Sequence, residues 1–373
     1  MERQNTTRQE NVKKTARKRR NYIIISVEVL LLVMMVGVLW FVTKFTDEEK
    51  GVQRVEITES DVIINEGVGQ NVVVNDDTAE MPKESTYRTI ALFGLDSTIG
   101  ELTKNTRSDT IMVASINNDT KEVRIMSVYR DTYLNLGNDT YNKCNTAYAK
   151  GGALQAISML NMNLDLDITD FVAVGFKGVM DTVNAIGGVW IDVDSAELEH
   201  INNYQISIAE NLKTDYTPVT KSGYQLLDGL QATAYCRIRH TAGNDFKRTE
   251  RQREVLQAIL DEAKELDVAT ITKLADNVFS DFYTSVDLEE IVTLLSDLGS
   301  YTLIDEGGFP SEEYRTGATI GGNVGDSVIC TDLEAAVVDL HERFFGEENY
   351  KVSDALTQIS AQIDTNTAPY LKY

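Results

Sequence analysis

The stretch from Thr110 to Val128 reads TIMVASINNDTKEVRIMSV. It contains two β-type runs, Thr110–Ile116 and Val123–Val128, which are separated by the polar segment Asn117-Asn118-Asp119-Thr120. Apolar and β-branched runs joined by a short polar turn are typical of a β-hairpin. We therefore expect two adjacent antiparallel strands here.

The flanking sequence alternates between strand and helix patterns. Upstream, the apolar run Thr89–Phe93 ends at Gly94-Leu95-Asp96, which predicts a buried strand followed by a turn. Downstream, Gly187-Gly188 ends a helical pattern and starts a strand. This alternation predicts a layered α/β domain with helices on both faces of a sheet. The downstream predictions are helices at Gly152–Leu160 and Lys177–Ile186, a strand at Val189–Val193, and helices at Asp228–Tyr235, Thr249–Leu266, Val268–Val278, Leu288–Leu298 and Asp332–Phe345.

The N-terminal residues have the pattern of a membrane anchor. Residues 1–21 form a basic tail with eight Lys/Arg against two Glu, and residues 22–43 form an apolar run about as long as a bilayer core is thick. Basic residues before the span predict a cytoplasmic N-terminus and a single pass. A cleavable signal peptide is the alternative, but no small-x-small cleavage site follows. The predicted localisation is the cell membrane, with the rest of the chain outside.

The remaining chain divides by composition into three parts. Residues 44–86 are polar and acidic and predict an extracellular stalk, with short strands at Val52–Thr58 and Val72–Val74. Residues 87–346 are the predicted globular domain, and residues 347–373 are a predicted C-terminal tail with weak signals.

Charge and cysteine content exclude several function classes. The whole chain carries −23 and the first twenty residues carry +6, so the rest carries about −29. Such a surface argues against nucleic-acid binding through bulk charge. The three cysteines form no C-x-x-C pair, and the three histidines do not cluster, which argues against a zinc site. A disulfide between Cys236 and either Cys144 or Cys330 is an open alternative.

Charged residues stand at the ends of the first three predicted strands. Asp96 follows the first strand, Asp109 begins the second and Arg130 follows the third. In a hairpin, the start of one strand and the end of the other lie at the same edge, so Asp109 and Arg130 are expected to be neighbours. Asp96 joins them if the first strand is parallel to the third. Carboxylates beside arginines suit Mg²⁺ and phosphate oxygens.

A second basic segment contains five arginines within seventeen residues. They lie in the stretches Cys236–His240 and Asp245–Arg253. A solvated charged helix, neutralised by Glu250 and Glu254, is the alternative interpretation. The spacing of residues in the following predicted helix argues against it. The polar pair Arg248 and Gln252 shares one helix face with the apolar pair Val255 and Ile259. Since the apolar pair must face the core, the first turn directs its polar pair inward at a helix N-terminus, where an anion is favoured.

These residues resemble the LytR-CpsA-Psr proteins of bacterial envelopes from about Tyr87 to Leu260. The matching motifs are, in order, LFGLD at 92–96, RSDTIM at 107–112, SVYRDT at 127–132, KxNxAYxxGG at 143–152, DxxxAIGGV at 181–189, LxDGxQAxAYxRxRH at 226–240 and DxxRxxRQ at 245–252. The chain departs from the family where Tyr129 replaces the usual Pro and Lys247 replaces a frequent Gly.

The resemblance implies a three-layer α-β-α sandwich with a central mixed sheet and a Mg²⁺-dependent phosphotransferase. Such an enzyme moves a glycan phosphate from a polyprenyl-diphosphate carrier to peptidoglycan and releases polyprenyl phosphate. By motif match, the metal carboxylates are Asp96 and Asp109, and the catalytic set is Asp109, Arg130, Arg237 and Arg239. The implied diphosphate-binding set is Arg107, Arg130, Arg237, Arg239, Arg248 and Gln252. The implied lipid channel is Phe171, Val174, Phe176, Met180 and Val183.

Two other functions use the same residues. One is a polyprenyl-diphosphate pyrophosphatase with water as the acceptor, and the other is a non-catalytic envelope regulator or binding module. Paired metal carboxylates favour an enzyme over a binding module. Asp109, or Asp131, is the candidate general base. The glycan that is carried stays open.

Overall fold

The computed structural model describes residues 53–68, 86–97, 102–239, 244–266, 281–286 and 300–371. The basic tail, the anchor at 22–43, the strand Val72–Val74 and the helices Val268–Val278 and Leu288–Leu298 were predicted for residues outside these ranges. Within these ranges, no helix combines the length and the apolar character that crossing a membrane requires.

A seven-stranded mixed sheet forms the centre of the molecule. Its strands, numbered in chain order, are arranged as β1 (Gln53–Arg54), β10 (Phe282–Thr284), β7 (Asp170–Val174), β2 (Tyr87–Leu95), β3 (Ser108–Asn117), β4 (Glu122–Val128) and β11 (Thr302–Phe309). The pairs β2/β3, β3/β4 and β10/β7 are antiparallel, whereas β2/β7, β4/β11 and β1/β10 are parallel. The predicted hairpin is confirmed as β3 and β4, and β2 runs parallel to β4.

Helices and three small sheets complete the described part of the chain. The helices are α1 (Thr146–Leu164), α2 (Phe176–Ala185), α3 (Leu198–Leu212), α4 (Gly229–Tyr235), α5 (Asn244–Ala263), α6 (Leu333–Phe345) and α7 (Asp354–Thr367). The small sheets are β5 (Tyr133–Asn135) with β6 (Tyr141–Lys143), β8 (Val189–Val193) with β9 (Gly223–Leu227), and β12 (Arg315–Ile320) with β13 (Gly325–Cys330). The predicted helices at 152–160, 177–186, 228–235, 249–266 and 332–345 are confirmed within a few residues, apart from the longer α1.

The two faces of the central sheet pack against different helices. Ala91 and Phe93 of β2 belong to a core shared with α1, α6 and α7. Leu92 and Met112 face the other way, toward Ile259 of α5. Successive side chains of a strand point to opposite faces, so β2 contributes to both layers. The expectation of helices on both faces is confirmed.

The folded unit extends beyond the limits that composition suggested. Val62 lies in the main core, and β1 pairs with β10, so part of the predicted stalk packs on the domain. Residues 354–367, within the predicted tail, form α7 and bury Leu356, Ile359 and Ile363 in the same core. The apolar stripe of α7 is narrow, because most other positions are polar, and this explains its weak signal.

All three cysteines are free thiols, so neither of the pairings considered for Cys236 forms. Cys144 and Cys330 are buried in the main core. Cys236 packs against a separate apolar cluster that includes residues of α4 and α5. The Cys144 thiol donates to the carbonyl of Tyr129 at 3.2 Å.

Candidate active site

The site lies at the sheet edge where β2 and β4 end and β3 begins. Gly94 pairs with Thr110, but Leu95 pairs with Ser108, so Asp109 is the extra residue of a β-bulge. Bulges redirect a side chain and are common beside functional sites. The first strand is parallel to the third, as the predicted arrangement required.

Asp109 is held by two arginines from different elements. Arg130 Nη1 donates to both carboxylate oxygens of Asp109 at 2.9 Å. Arg239 Nη2 donates to Asp109 Oδ2 at 2.8 Å. The predicted neighbour relation of Asp109 and Arg130 is confirmed, and the hairpin register explains it. Burial alone would lower the pKa of Arg130, but the surrounding carboxylates, Asp109 first, raise it above its ordinary value.

A second carboxylate, Asp245, belongs to this network, and it was absent from the predicted site residues. It lies in the first turn of α5 and accepts from Arg130 Nε at 2.9 Å. Its Oδ1 is 3.2 Å from Arg248 Nη1 and 3.7 Å from Arg239 Nε. Burial would raise the pKa of Asp245, but Arg248 and Arg130 hold it below its usual value. The spacing from Asp245 to Arg248, three residues on one helix, was the available signal.

Arg248 is the most deeply buried cation of the site, with 2% of its side chain exposed. Its Nη2 donates to the backbone carbonyl of Asp109 at 3.1 Å. Its Nε has no hydrogen-bond partner among the described residues, and Nη1 lacks hydrogen-bond geometry toward Asp245. Burial, and then the neighbouring Arg130, lower the pKa of Arg248 to about 10. A buried guanidinium with unused donors favours an anionic ligand.

Gln252 lies one turn after Arg248 and faces the same cavity. Its Nε2 is 3.4 Å from the carbonyl of Cys236, and its Oε1 is buried without a partner in the described structure. The predicted face of α5 is therefore present: the polar pair, Arg248 and Gln252, lies at its N-terminal part and the apolar pair follows.

Arg237 is positioned by aromatic rings. Its guanidinium carbon lies 4.4 Å from the ring centre of Phe176 and 5.3 Å from that of Tyr204. Burial lowers the pKa of Arg237, and the field of Asp96 acts in the opposite direction. Cation–π contacts hold the guanidinium in a fixed plane at the cavity wall.

Asp96 and Arg107 lie at the exposed rim of the site. The Asp96 amide donates to the Arg107 carbonyl at 3.0 Å, which joins the end of β2 to the start of β3. Both side chains are exposed, and neither lines the cavity. The structure thus brings Arg130, Arg239 and Arg248 around Asp109, and it places the side chain of Arg107 outside this cluster.

Two of the five arginines between residues 237 and 253 lie outside the site and have structural partners. Arg251, buried, donates to Glu197 at 2.7 Å, and Arg253 lies 2.7 Å from Asp305. Glu250 binds Lys247, and Glu254 accepts from Tyr235. The alternative in which Glu250 and Glu254 neutralise a solvated arginine helix is therefore wrong.

An apolar cavity of about 130 Å³ opens onto the arginines. It lies between the sheet and α5, and its predicted members Val174 and Phe176 are present. Phe171 was also predicted to line the cavity, but it lies on the other face of the sheet, in the core under α1. Because side chains alternate along β7, its neighbour Val172 lines the cavity instead. Val183 is buried within the second apolar cluster, and Met180 packs against that cluster. Val172 and Val179, from the same segment as the predicted members, line the cavity, and the apolar lining that was not predicted includes Leu92, Met112 and Leu256.

The carboxylates available for a metal are few. Within the described ranges, no group of three or more His, Cys, Asp or Glu is arranged to hold a metal ion. Asp96 and Asp109 lie at the same sheet edge. Mg²⁺ is commonly held by one or two carboxylates together with substrate phosphates, so this donor set fits Mg²⁺ when a diphosphate is present.

A family model assigns the chain. The LytR_cpsA_psr family model matches residues 50–319, most of the described chain. The chain belongs to this family. The resemblance drawn from the motifs is thereby confirmed over a longer range than the motifs cover, including β1 and β11.

Relatives of this family member carry transferase names. It is 29% identical over 201 residues to the polyisoprenyl-teichoic acid–peptidoglycan teichoic acid transferase TagV of Bacillus subtilis, covering 52% of this chain and 49% of the relative. It is 31% identical over 199 residues to TagU of Enterococcus faecalis, covering 52% and 60%. The chain thus spans about half to three fifths of the length of these relatives.

Solved structures share its fold. A structure of TagT bound to LIIa-WTA superposes with a TM-score of 0.56 at 23% identity, covering 72% of this chain and 97% of the other. A structure of TagT with bound octaprenyl pyrophosphate lipid gives a TM-score of 0.52 at 22% identity, with the same coverage. The mixed α/β architecture is therefore that of the family.

Proposed function

We propose that this protein is a phosphotransferase that moves a glycan phosphate from a polyprenyl-diphosphate carrier to peptidoglycan. One observation carries the proposal: the cavity lined by Val174 and Ile259 is also lined by Arg237, Arg239 and Arg248. An apolar cavity that ends at buried guanidinium groups fits a ligand with an apolar chain and an anionic head. The names of TagV and TagU, and the lipid bound to TagT, support this ligand class.

The arginines exchange partners when the diphosphate binds. In the described state, Arg130 and Arg239 bind Asp109. A diphosphate offers more negative charge than one carboxylate, so it draws these guanidinium groups onto its oxygens. Asp109 is then released to accept a proton or to bind a metal. Arg248, whose Nε has no described partner, supplies a further donor without losing one.

The transfer is a displacement at phosphorus. A hydroxyl oxygen of the acceptor bonds to the glycan-side phosphorus, the bridging P–O bond breaks, and polyprenyl phosphate leaves with the bond electrons. The hydroxyl proton passes to Asp109, with Asp131 as the alternative base. The arginines stabilise the charge that develops on the equatorial oxygens and on the leaving phosphate.

We also propose that the enzyme is Mg²⁺-dependent and membrane-anchored. Asp96 and Asp109 would hold the ion, which neutralises diphosphate charge when bound. Residues 22–43 would anchor the chain, with residues 1–21 in the cytoplasm and the catalytic domain outside. This topology places the cavity on the side of the membrane that carries peptidoglycan.

The experiment is turnover of a polyprenyl-diphosphate-linked glycan by the full chain in detergent, with and without Mg²⁺. Peptidoglycan is supplied in one arm and omitted in the other, and phosphate-containing products are followed. A covalent glycan–peptidoglycan product that needs Mg²⁺ and disappears in Arg237→Ala/Arg239→Ala supports the proposal. Cleavage with water alone in both arms would assign a pyrophosphatase. Tight lipid binding without cleavage in either arm would assign a regulator or binding module.

A further inference from the structure

A second groove runs along the outer side of α5, away from the apolar cavity. Its volume is about 730 Å³. On the helix it is lined by residues from Lys247 to Asp261, which are fourteen residues apart and therefore about 21 Å apart along the axis. The residues of α5 that line the cavity, Arg248 and Ile259 among them, do not line this groove. One helix thus separates two different binding surfaces.

Two exposed aromatic rings form part of the groove. Trp190 of β8 and Tyr224 of β9 stack with their ring centres 5.3 Å apart and their planes at 20°. Trp190 is 43% exposed and Tyr224 is 56% exposed. The alternate residues of β8, Val189 and Ile191, are buried, so the hairpin packs through its inner face and presents the rings outward. Large rings kept in solvent mark a contact surface.

Most of the other side chains that line the groove are charged, and their net charge is negative. Five carboxylates and three basic side chains line it. Three of the carboxylates already bind cations or an amide, as in the pairs Lys247–Glu250, Arg253–Asp305 and Gln257–Asp261. A net negative groove disfavours phosphate-rich polymers. Acceptors and donors around flat aromatic faces suit neutral hydroxyl-rich chains, whose C–H faces pack on electron-rich rings.

The N-terminal end of the groove lies beside the arginine end of the cavity along the helix. Lys247 lines the groove, and the next residue, Arg248, lines the cavity. The two surfaces therefore lie on neighbouring faces of the same helical turn. Lys247 stands where the family often has Gly, so this chain places an extended basic side chain at the junction.

We propose that the groove formed by Trp190, Tyr224 and the outer face of α5 binds the neutral glycan backbone of the acceptor. The inference rests on the proposed transferase function and specifies its acceptor subsite. The aromatic pair packs against sugar faces, and the polar side chains of α5 bind hydroxyl and amide groups. The lipid-linked donor enters from the other side of the same helix.

Intrinsic fluorescence provides a direct test. The chain has two tryptophans, Trp40 and Trp190, so Trp40→Phe leaves Trp190 as the reporter. The full chain in detergent is titrated with a soluble chain of at least four N-acetylated hexosamines. Maltohexaose and poly(glycerol phosphate) are the comparison ligands. We expect saturable quenching with the hexosamine chain, and about tenfold weaker binding in Tyr224→Ala. The matched control is Tyr216→Ala, which removes a 41% exposed ring outside the groove.

A kinetic test separates this inference from the proposed function. In Trp190→Ala/Tyr224→Ala, we expect KM for the acceptor to rise about tenfold, with kcat at saturating acceptor and the affinity for the lipid diphosphate unchanged. Transfer with an unchanged acceptor KM, or quenching only by poly(glycerol phosphate), would overturn the groove assignment. The wild-type chain could also bind the hexosamine chain and lose this binding in the variants, yet cleave no lipid diphosphate. That result would support the groove assignment and refute the transferase function.

Discussion

Arg130 donates from one nitrogen to both carboxylate oxygens of Asp109, at 2.9 Å each. The two residues are twenty-one apart in the chain, and the β3–β4 hairpin brings them to the same sheet edge. The bulge at Asp109 turns its side chain toward the arginine cluster, because the extra residue interrupts the regular alternation. This pair is the centre of the candidate site, and it links the metal, base and clamp roles.

Asp109→Asn tests the role of that carboxylate. The amide keeps the shape of the side chain but neither accepts a proton nor neutralises two guanidinium groups. We expect the rate of lipid-diphosphate cleavage to fall by about 10²–10⁴. The measurement is single-turnover transfer to peptidoglycan at saturating lipid, acceptor and Mg²⁺. Asp131→Asn is the comparison, and near-normal transfer by Asp109→Asn would transfer the base role to Asp131.

Arg248→Lys tests the buried anion site. Lysine keeps the charge but loses the planar fork of donors, and its shorter side chain loses the contact with the Asp109 carbonyl. We expect binding of a Mg²⁺–polyprenyl-diphosphate to weaken about 10–100-fold. Isothermal titration gives the affinity. Arg253→Lys is the matched control, since Arg253 is buried on the same helix but binds Ser127 and Asp305. If both variants lost the same affinity for the lipid diphosphate, the cause would be a general disturbance of the helix and not the loss of the Arg248 donors.

Gly308→Ala tests the packing around Tyr129. A methyl group at Gly308 would collide with the Tyr129 ring, which Phe246 and Arg315 hold in place. We expect a loss of about 1–3 kcal/mol in the free energy of unfolding. Thermal denaturation measures it, and the double variant Tyr129→Ala/Gly308→Ala supplies the cycle. If the losses in unfolding free energy of the two single variants add up to that of the double variant, contact with the Tyr129 ring is not the cause of the Gly308→Ala loss.

Asp261→Asn tests a titration near the C-terminal end of α5. Burial raises the pKa of Asp261 from 3.8 to about 6, although Gln257 donates to it and lowers it in part. A raised folded-state pKa favours the protonated form, so stability is lost as pH rises from about 4 to 6. We expect the variant to be more stable than wild type by about 1–2 kcal/mol at pH 8, after allowance for partial exposure, and equal to it near pH 4.

Chemical denaturation at the two pH values measures this difference. Glu265→Gln removes an exposed charge from the same end of α5 and controls for net charge. A gain of equal size at both pH values would exclude ionisation of Asp261 as its cause.

Strand directions and helix phase were readable from local pattern. The hairpin at 110–128 was sufficient to bring Asp109 beside Arg130, since antiparallel pairing leaves no other arrangement. The stripe from Arg248 to Ile259 predicted which side of α5 faces inward. The membrane anchor at 22–43, the Mg²⁺ dependence and the localisation stay predictions.

Two features of the site and one of the fold were not predicted. The spacing from Asp245 to Arg248 was a local signal, but the other partners of Asp245, Arg130 and Arg239, come from other elements. Phe171 was predicted to line the lipid channel. Side chains of β7 alternate between the two faces of the sheet, and only the packing of the helices shows which face carries the cavity. The residues of α7 were predicted to be a C-terminal tail. Their few apolar side chains stabilise a helix only when they pack against the main core.

The sequence by itself determined the hairpin, five of the described helices and the charged residues at the strand ends, because these depend on periodicity and turn chemistry within a few residues. The tertiary structure decided which charges meet and which stay at the rim. Asp109 binds two arginines, whereas Arg107, two residues earlier, is exposed. The physical reason is that the bulge in the β2/β3 register sets the direction of the Asp109 side chain, and the packing of α5 on the sheet sets that of Arg248.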